Sequence, residues 1–172
     1  MNSDSIPFHA VSNFIYFLCN KGGSGLFNRA DFISDSEWNR FQEFSKDLET
    51  PNVVVNLHQI KRNFIKLRDS FPYAQIYYAV KSNPGEPVVS MLAELGSCFD
   101  IASRYELDSV LALGVHPDRI SYGNTIKKAC DIKYFYDKGV RMFATDSKSD
   151  LRNIAEFAPK SRVYVRVLIE NE

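Results

Sequence analysis

The residue with the clearest chemical potential is Lys81, which directly follows Tyr78-Ala79-Val80. A lysine closing an apolar strand sits at a rim where partial desolvation favours the uncharged amine, a nucleophile for a carbonyl. The same place equally suits a lysine whose stem covers apolar surface while its ammonium reaches water. Polar groups recur at comparable points downstream. They are Asp100 ahead of Ile101-Ala102-Ser103, Gly123-Asn124-Thr125 followed by Lys127 and Lys128, Thr145-Asp146-Ser147, and Arg166. In parallel α/β folds reactive groups gather at the carboxyl ends of strands, so these segments are candidates for one mouth. Cys19, Cys98 and Cys130 are an odd number without short metal-type spacing. They read as reduced thiols rather than a metal site or a disulfide framework.

The elements that must position these groups alternate regularly. Strands are expected around Tyr77, Phe99, Ser121, Met142 and Val165, about 22 residues apart. Between them lie helical patterns. Pro87 suits a first turn and Gly96 a stop. Ser103 and Glu106 form a capping box, and Gly114 ends that helix. A helix over 126–138 ends at Gly139, and Ser147 caps the next. Such alternation argues for parallel strands with right-handed crossovers, as a closed barrel or an open doubly wound sheet. The barrel is preferred, because the period is uniform and no glycine-rich phosphate fingerprint follows the first strand. Upstream, 52–55 reads as a short strand, and Leu57, Ile60, Phe64, Leu67 and Phe71 line one helix face. Residues 1–50 differ in character. A Gly-Gly-Ser-Gly tract at 22–25 reads as a turn. Ser34 and Glu37 open an amphipathic helix carrying Trp38, Phe41, Phe44 and Leu48.

Composition narrows the classes. Of 172 residues 45% are hydrophobic, enough for a core, and disorder is excluded as the main theme. Lys plus Arg and Asp plus Glu are each 21, so no net charge recommends nucleic acid as a partner. The most apolar run, 14–19, is far short of the roughly 20 residues a bilayer needs. No basic segment leads into a long apolar one, so no membrane association and a cytoplasmic location are expected. A closed eight-unit barrel takes roughly 250 residues. Five units reach Glu172, which implies either an open sheet or part of a longer protein.

Four ordered segments carry a family resemblance. They are Tyr78-Ala79-Val80-Lys81-Ser82-Asn83-Pro84, residues 96–103 with Glu106-Leu107, residues 119–128, and Phe143-Ala144-Thr145-Asp146-Ser147. Together they resemble the fold-type III pyridoxal-phosphate decarboxylases, and the ornithine decarboxylase branch in particular, over about residues 51–172. The resemblance implies an α/β chain. Residues 51–172 would form the N-terminal part of a parallel (β/α) barrel of the alanine-racemase-like type, about five of eight units. Residues 1–50 would be an extension contributing to a second, β domain. It implies pyridoxal 5'-phosphate as cofactor and a homodimer for the full-length protein. The reaction would be decarboxylation of a basic amino acid, L-ornithine to putrescine first and lysine second.

Roles follow position by position. Lys81 would be catalytic, holding the cofactor as a Schiff base. Asp100 would lie near the cofactor, where capping of the next turn is an equal alternative. Arg166 would lie by the phenolic oxygen, with an ion pair in the barrel mouth as the alternative. Ala79 and Asn83 would shape the pocket wall. Glu106 is explained as well by its capping position, and Lys127 and Lys128 by a solvated helix face. Asn56 stands where the family usually has aspartate, with little effect expected. The family's ring-stacking histidine, glycine-rich phosphate site, pyridine-nitrogen glutamate and substrate-binding acids belong to later sequence. A truncated, non-catalytic homologue acting through a partner, or a small cofactor carrier, remain as alternatives. Five strands leave two parallel edges unpaired and a hydrophobic interior open to water. Residues 1–172 alone are therefore expected to be poorly stable and weakly active or inactive. Carbon dioxide release from ornithine by that purified chain at an enzyme-like rate contradicts this.

Overall fold

The computed structural model describes residues 8–11, 33–49 and 51–169. The tract at 22–25, the apolar run at 14–19 and Cys19 lie outside the described residues. The chain divides into two units, Met1–Ile60 and Lys61–Glu172.

In the first unit β1 (Phe8–Val11) pairs antiparallel with β2 (Val53–Asn56), Phe8 opposite Asn56. The strand anticipated at 52–55 is thus present, and its partner lies upstream. Helix α1 (Asp35–Ser45) starts at Ser34 with the anticipated capping box: Ser34 Oγ accepts from the Glu37 amide, and the Glu37 carboxylate reaches back. It ends before Leu48. Asn56 Oδ1 accepts from the Gln59 amide at 3.0 Å and so caps α2 (Leu57–Ser70). An aspartate would accept the same bond, which explains why asparagine serves there.

The second unit follows the anticipated alternation. Its elements are β3 (Tyr77–Ala79), α3 (Glu86–Glu94), β4 (Cys98–Ile101), α4 (Arg104–Ala112), β5 (Ile120–Tyr122), α5 (Ala129–Asp137), β6 (Met142–Thr145), α6 (Lys148–Phe157) and β7 (Arg162–Val165). The strands form one parallel sheet in the order β3-β4-β5-β6-β7. A doubly wound sheet reverses its strand order at a switch point. Here each strand pairs only with its neighbours in sequence, the arrangement of a barrel wall. The chain is an α/β protein, and this unit is part of a (β/α) barrel.

Strand alternation decides which side is covered. Phe99, Ile101, Ile120, Tyr122 and Phe143 are at most 2% exposed, as are Leu92, Leu107, Ile132, Phe135 and Ile154 on the helices. The Tyr122 ring stacks on Phe135 at 3.8 Å between centroids, 8° from parallel, and meets Phe143 at 6.2 Å. Each such side chain contributes roughly 1.5–3 kcal/mol on burial. The opposite face carries Ala79, Cys98, Asp100, Ser121, Ala144 and Tyr164, alternating with that core. Asp100 and Ser121 place polar groups on it among apolar side chains, Tyr77 and Met142 included. The helix stops fall as read: Gly96, Gly114 and Gly139 have φ of 88°, 77° and 95°. Arg119 closes α3 by donating to the Ala93 and Ser97 carbonyls at 2.8 and 2.6 Å.

One boundary needs correction. Helix α5 begins at Ala129, with Lys128 as N-cap, rather than at 126. Residues 126–128 stay outside the helix, and Lys127 turns inward instead of lying on a solvated helix face.

Burial, with the Asp131 carboxylate next in effect, pushes the Tyr122 phenol up from 10 to about 12. The unfolded chain loses this proton from about pH 10, whereas the folded chain keeps it. Stability present in full below pH 10 is therefore lost progressively between pH 10 and about 12, on the order of 2 kcal/mol. Urea unfolding across that range checks it, and Tyr122→Phe should remove this share of the loss while leaving that of Tyr77, Tyr134 and Tyr164, whose phenols are raised as well.

Candidate functional site

Lys81 lies in a single 3₁₀ turn, Val80–Ser82, that continues β3. The turn is braced on both sides. Ser82 Oγ donates to the Ala79 carbonyl at 2.7 Å, and the Tyr78 hydroxyl to the Asn83 carbonyl at 3.1 Å. Asn83 Oδ1 in turn accepts from the Gly85 amide at 3.0 Å. The backbone that carries Lys81 is thus fixed, while its side chain is exposed. The anticipated desolvation of its amine is not supplied by the described residues, because Val80 takes the buried place and Lys81 the outer one.

Asp100 faces Ala79 across one ladder and Ser121 across the next. Its Oδ1 accepts from Ser121 Oγ at 2.7 Å and from the Tyr164 hydroxyl at 3.3 Å. Tyr164 reaches it from β7, three strands away. Three inter-strand steps in a flat sheet span about 14 Å. Contact over that span requires the sheet to curl towards this face, as a barrel wall does, and Ala144 opposite Tyr164 leaves the path clear. Gly123 completes the setting. A Cβ there would lie 2.0 Å from Asp100 Oδ1 and 2.4 Å from Oδ2, so the carboxylate fills the space a side chain would take.

Asp100 therefore does not cap the next turn. Ser103 Oγ caps α4, accepting from the Glu106 amide at 3.3 Å, and the Glu106 carboxylate accepts from the Ala102 amide at 2.6 Å. The reach-back ends one residue earlier than in a capping box, at Ala102.

Burial raises the Tyr164 phenol above its ordinary value. The Ser121 hydrogen bond opposes that rise, Asp100 adds to it, and the Arg166 charge again opposes it. Arg166 directly follows β7, in the phase of Tyr164. Its amide extends the ladder to the Thr145 carbonyl at 2.8 Å, and its side chain is exposed. The structure brings Asp100 and Arg166 to one face and sets Ala79, half-buried, beside Asp100. No hydrogen bond or ion pair among the described residues joins Lys81 to either. Gly123 belongs to a strand-end segment that the sequence marks as a candidate for the mouth, whereas Ser121 and Tyr164 join the site only in the structure. Their signal is phase: a serine between Ile120 and Tyr122, and a tyrosine between Val163 and Val165, share the face of Asp100.

Lys127 secures the rim beside this cluster. Its Nζ, fully buried, donates to the Asn124 carbonyl at 3.0 Å, the Ala144 carbonyl at 2.6 Å and Asp150 Oδ2 at 2.6 Å. The ends of β5 and β6 and the first turn of α6 are thereby tied together.

The family described as pyridoxal-dependent decarboxylase, pyridoxal binding domain, matches residues 57–172. The chain belongs to that family, whose cofactor is pyridoxal phosphate. It is 35% identical over 127 residues to the lysine/ornithine decarboxylase of Selenomonas ruminantium, covering 74% of this chain and 32% of that protein. It is 38% identical over 118 residues to the ornithine decarboxylase of Saccharomyces cerevisiae, covering 69% and 25%. Antizyme inhibitor 2 of Xenopus laevis matches at 35% over 118 residues, covering 69% and 26%. Among solved structures, SrLDC in complex with PLP and cadaverine superposes with a TM-score of 0.70 at 34% identity, covering 81% of this chain and 36% of that one. The chain thus spans a quarter to a third of the curated relatives it matches. Among the described residues no helix is long and apolar enough to cross a membrane.

Replacing Lys127 by methionine leaves Asp150 as a buried carboxylate without its cation. A loss of about 3–5 kcal/mol is expected in urea unfolding. The double change Lys127→Met with Asp150→Leu should recover much of that loss.

Proposed function

We propose that the protein bearing this chain is a pyridoxal-phosphate-dependent decarboxylase of a basic amino acid, L-ornithine first, forming putrescine for polyamine synthesis. The observation that supports it is the placement of Lys81 and Asp100 at the carboxyl ends of two paired strands inside the family's pyridoxal-binding domain. The residues fit the group: an exposed primary amine on a braced turn, and a carboxylate seated in space left by Gly123. When bound, pyridoxal phosphate supplies an electron sink for the carbanion left by departing carbon dioxide. Lys81 would hold the group through Nζ, Asp100 would offer it a carboxylate, Arg166 a guanidinium, and Ala79 would form the adjoining wall. The relatives' printed names include both lysine and ornithine, and lysine is the second substrate considered. Residues 1–50 contribute to a second domain, a reading supported by the antiparallel β1–β2 pair. The working assembly is a cytoplasmic homodimer.

A second reading has its own support in the antizyme inhibitor match: a homologue without catalysis that acts through a partner protein. Carbon dioxide release from carboxyl-labelled ornithine and lysine by the complete protein separates the readings. Ornithine and lysine differ by one methylene, which a pocket reads as roughly 10–200-fold in kcat/KM. The expected result is release from ornithine favoured at least about tenfold, and lost in Lys81→Ala. Preference for lysine overturns the substrate assignment. No release from either favours the non-catalytic reading.

A further inference from the structure

Two neutral hydroxyl groups converge on Asp100 from different strands. Ser121 Oγ and the Tyr164 hydroxyl both reach Oδ1, at 2.7 and 3.3 Å. A carboxylate has about four lone-pair directions over its two oxygens. Two donors on one oxygen fix the plane and rotation of the group while leaving acceptor capacity for a further donor. Gly123 leaves open the space beside its Cα in which Oδ1 and Oδ2 sit. Tyr164 keeps its proton through the neutral range, since burial raises its phenol, so it remains a donor.

We propose that Ser121 and Tyr164 are positioning residues that hold Asp100 in one orientation towards the pyridoxal group and set how tightly that group binds. This rests on the reading of Asp100 as a cofactor-facing carboxylate. Neither hydroxyl touches the reacting atoms. Their contribution passes through Asp100, and removing either frees its carboxylate to rotate. A purely packing role for Tyr164 would make its hydroxyl's effect independent of Asp100.

The test is a double-mutant cycle on cofactor affinity in the complete protein, read by titrating apoprotein with pyridoxal 5'-phosphate and following absorbance, without turnover. Tyr164→Phe and Ser121→Ala should each raise the dissociation constant, by about tenfold. With Asp100→Ala already present, Tyr164→Phe should change it less than about twofold, because the group it positions is gone. Equal factors in both backgrounds, or no effect of Tyr164→Phe when Asp100→Ala weakens binding, overturn the positioning role and leave the reading of Asp100 intact. An unchanged dissociation constant in Asp100→Ala overturns that reading and this inference with it. Should Asp100→Ala fail to fold, Asp100→Asn serves in the same cycle. An amide is a weaker acceptor, so the Tyr164→Phe factor should fall at least by half, and equal factors again overturn the proposal.

Discussion

A shift of one residue in the register between β4 and β5 would turn Ser121 away from Asp100 and bring the Tyr122 ring to the open face. The ladder forbids it, because the same shift would expose Ile120 and Tyr122 and empty the space beside Phe135. The phase of the parallel sheet is therefore held by apolar burial on one side and spent on polar placement on the other. Ala79, Asp100 and Ser121 lie in one row across three strands, and Tyr164 joins them from β7 by the curl of the sheet. The cluster is a consequence of the core.

The rim is secured by a different interaction. Lys127 uses its three donors on three separate segments, and Asp150 supplies the only charge among those acceptors. A buried pair of this kind stabilises less than its Coulomb attraction suggests, because both partners lose hydration. Its value here is geometric: it fixes the loop after β5, which begins at Gly123, against the end of β6. The lysine at the mouth of β3 is the counterpart. Its turn is held by Ser82 and Tyr78 while its amine stays accessible, the combination that a covalent cofactor attachment requires.

Much of this architecture was legible from residue patterns. The strand period, the capping serines at 34, 103 and 147, and the glycines at 96, 114 and 139 all act through local backbone chemistry, which neighbouring residues determine. The family, the fold class and the cofactor were legible through motifs. Three things were not. Lys127 reads as a helix-face lysine, because nothing near it in sequence reveals Asp150, 23 residues on. The Tyr164–Asp100 bond spans 64 residues and depends on sheet curvature. The exposure of Lys81 depends on the chain turning at Val80, where an extended strand was anticipated. Each is a long-range or three-dimensional fact that a one-dimensional period does not carry.

The central claim is that Lys81 is the residue to which pyridoxal phosphate attaches. Borohydride reduction of the complete protein loaded with the cofactor, followed by peptide mass spectrometry, reads it directly. The account predicts a stable phosphopyridoxyl adduct on the peptide containing Lys81, and none there in Lys81→Arg. An adduct on another lysine, or full cofactor binding without any covalent link at Lys81, would contradict it.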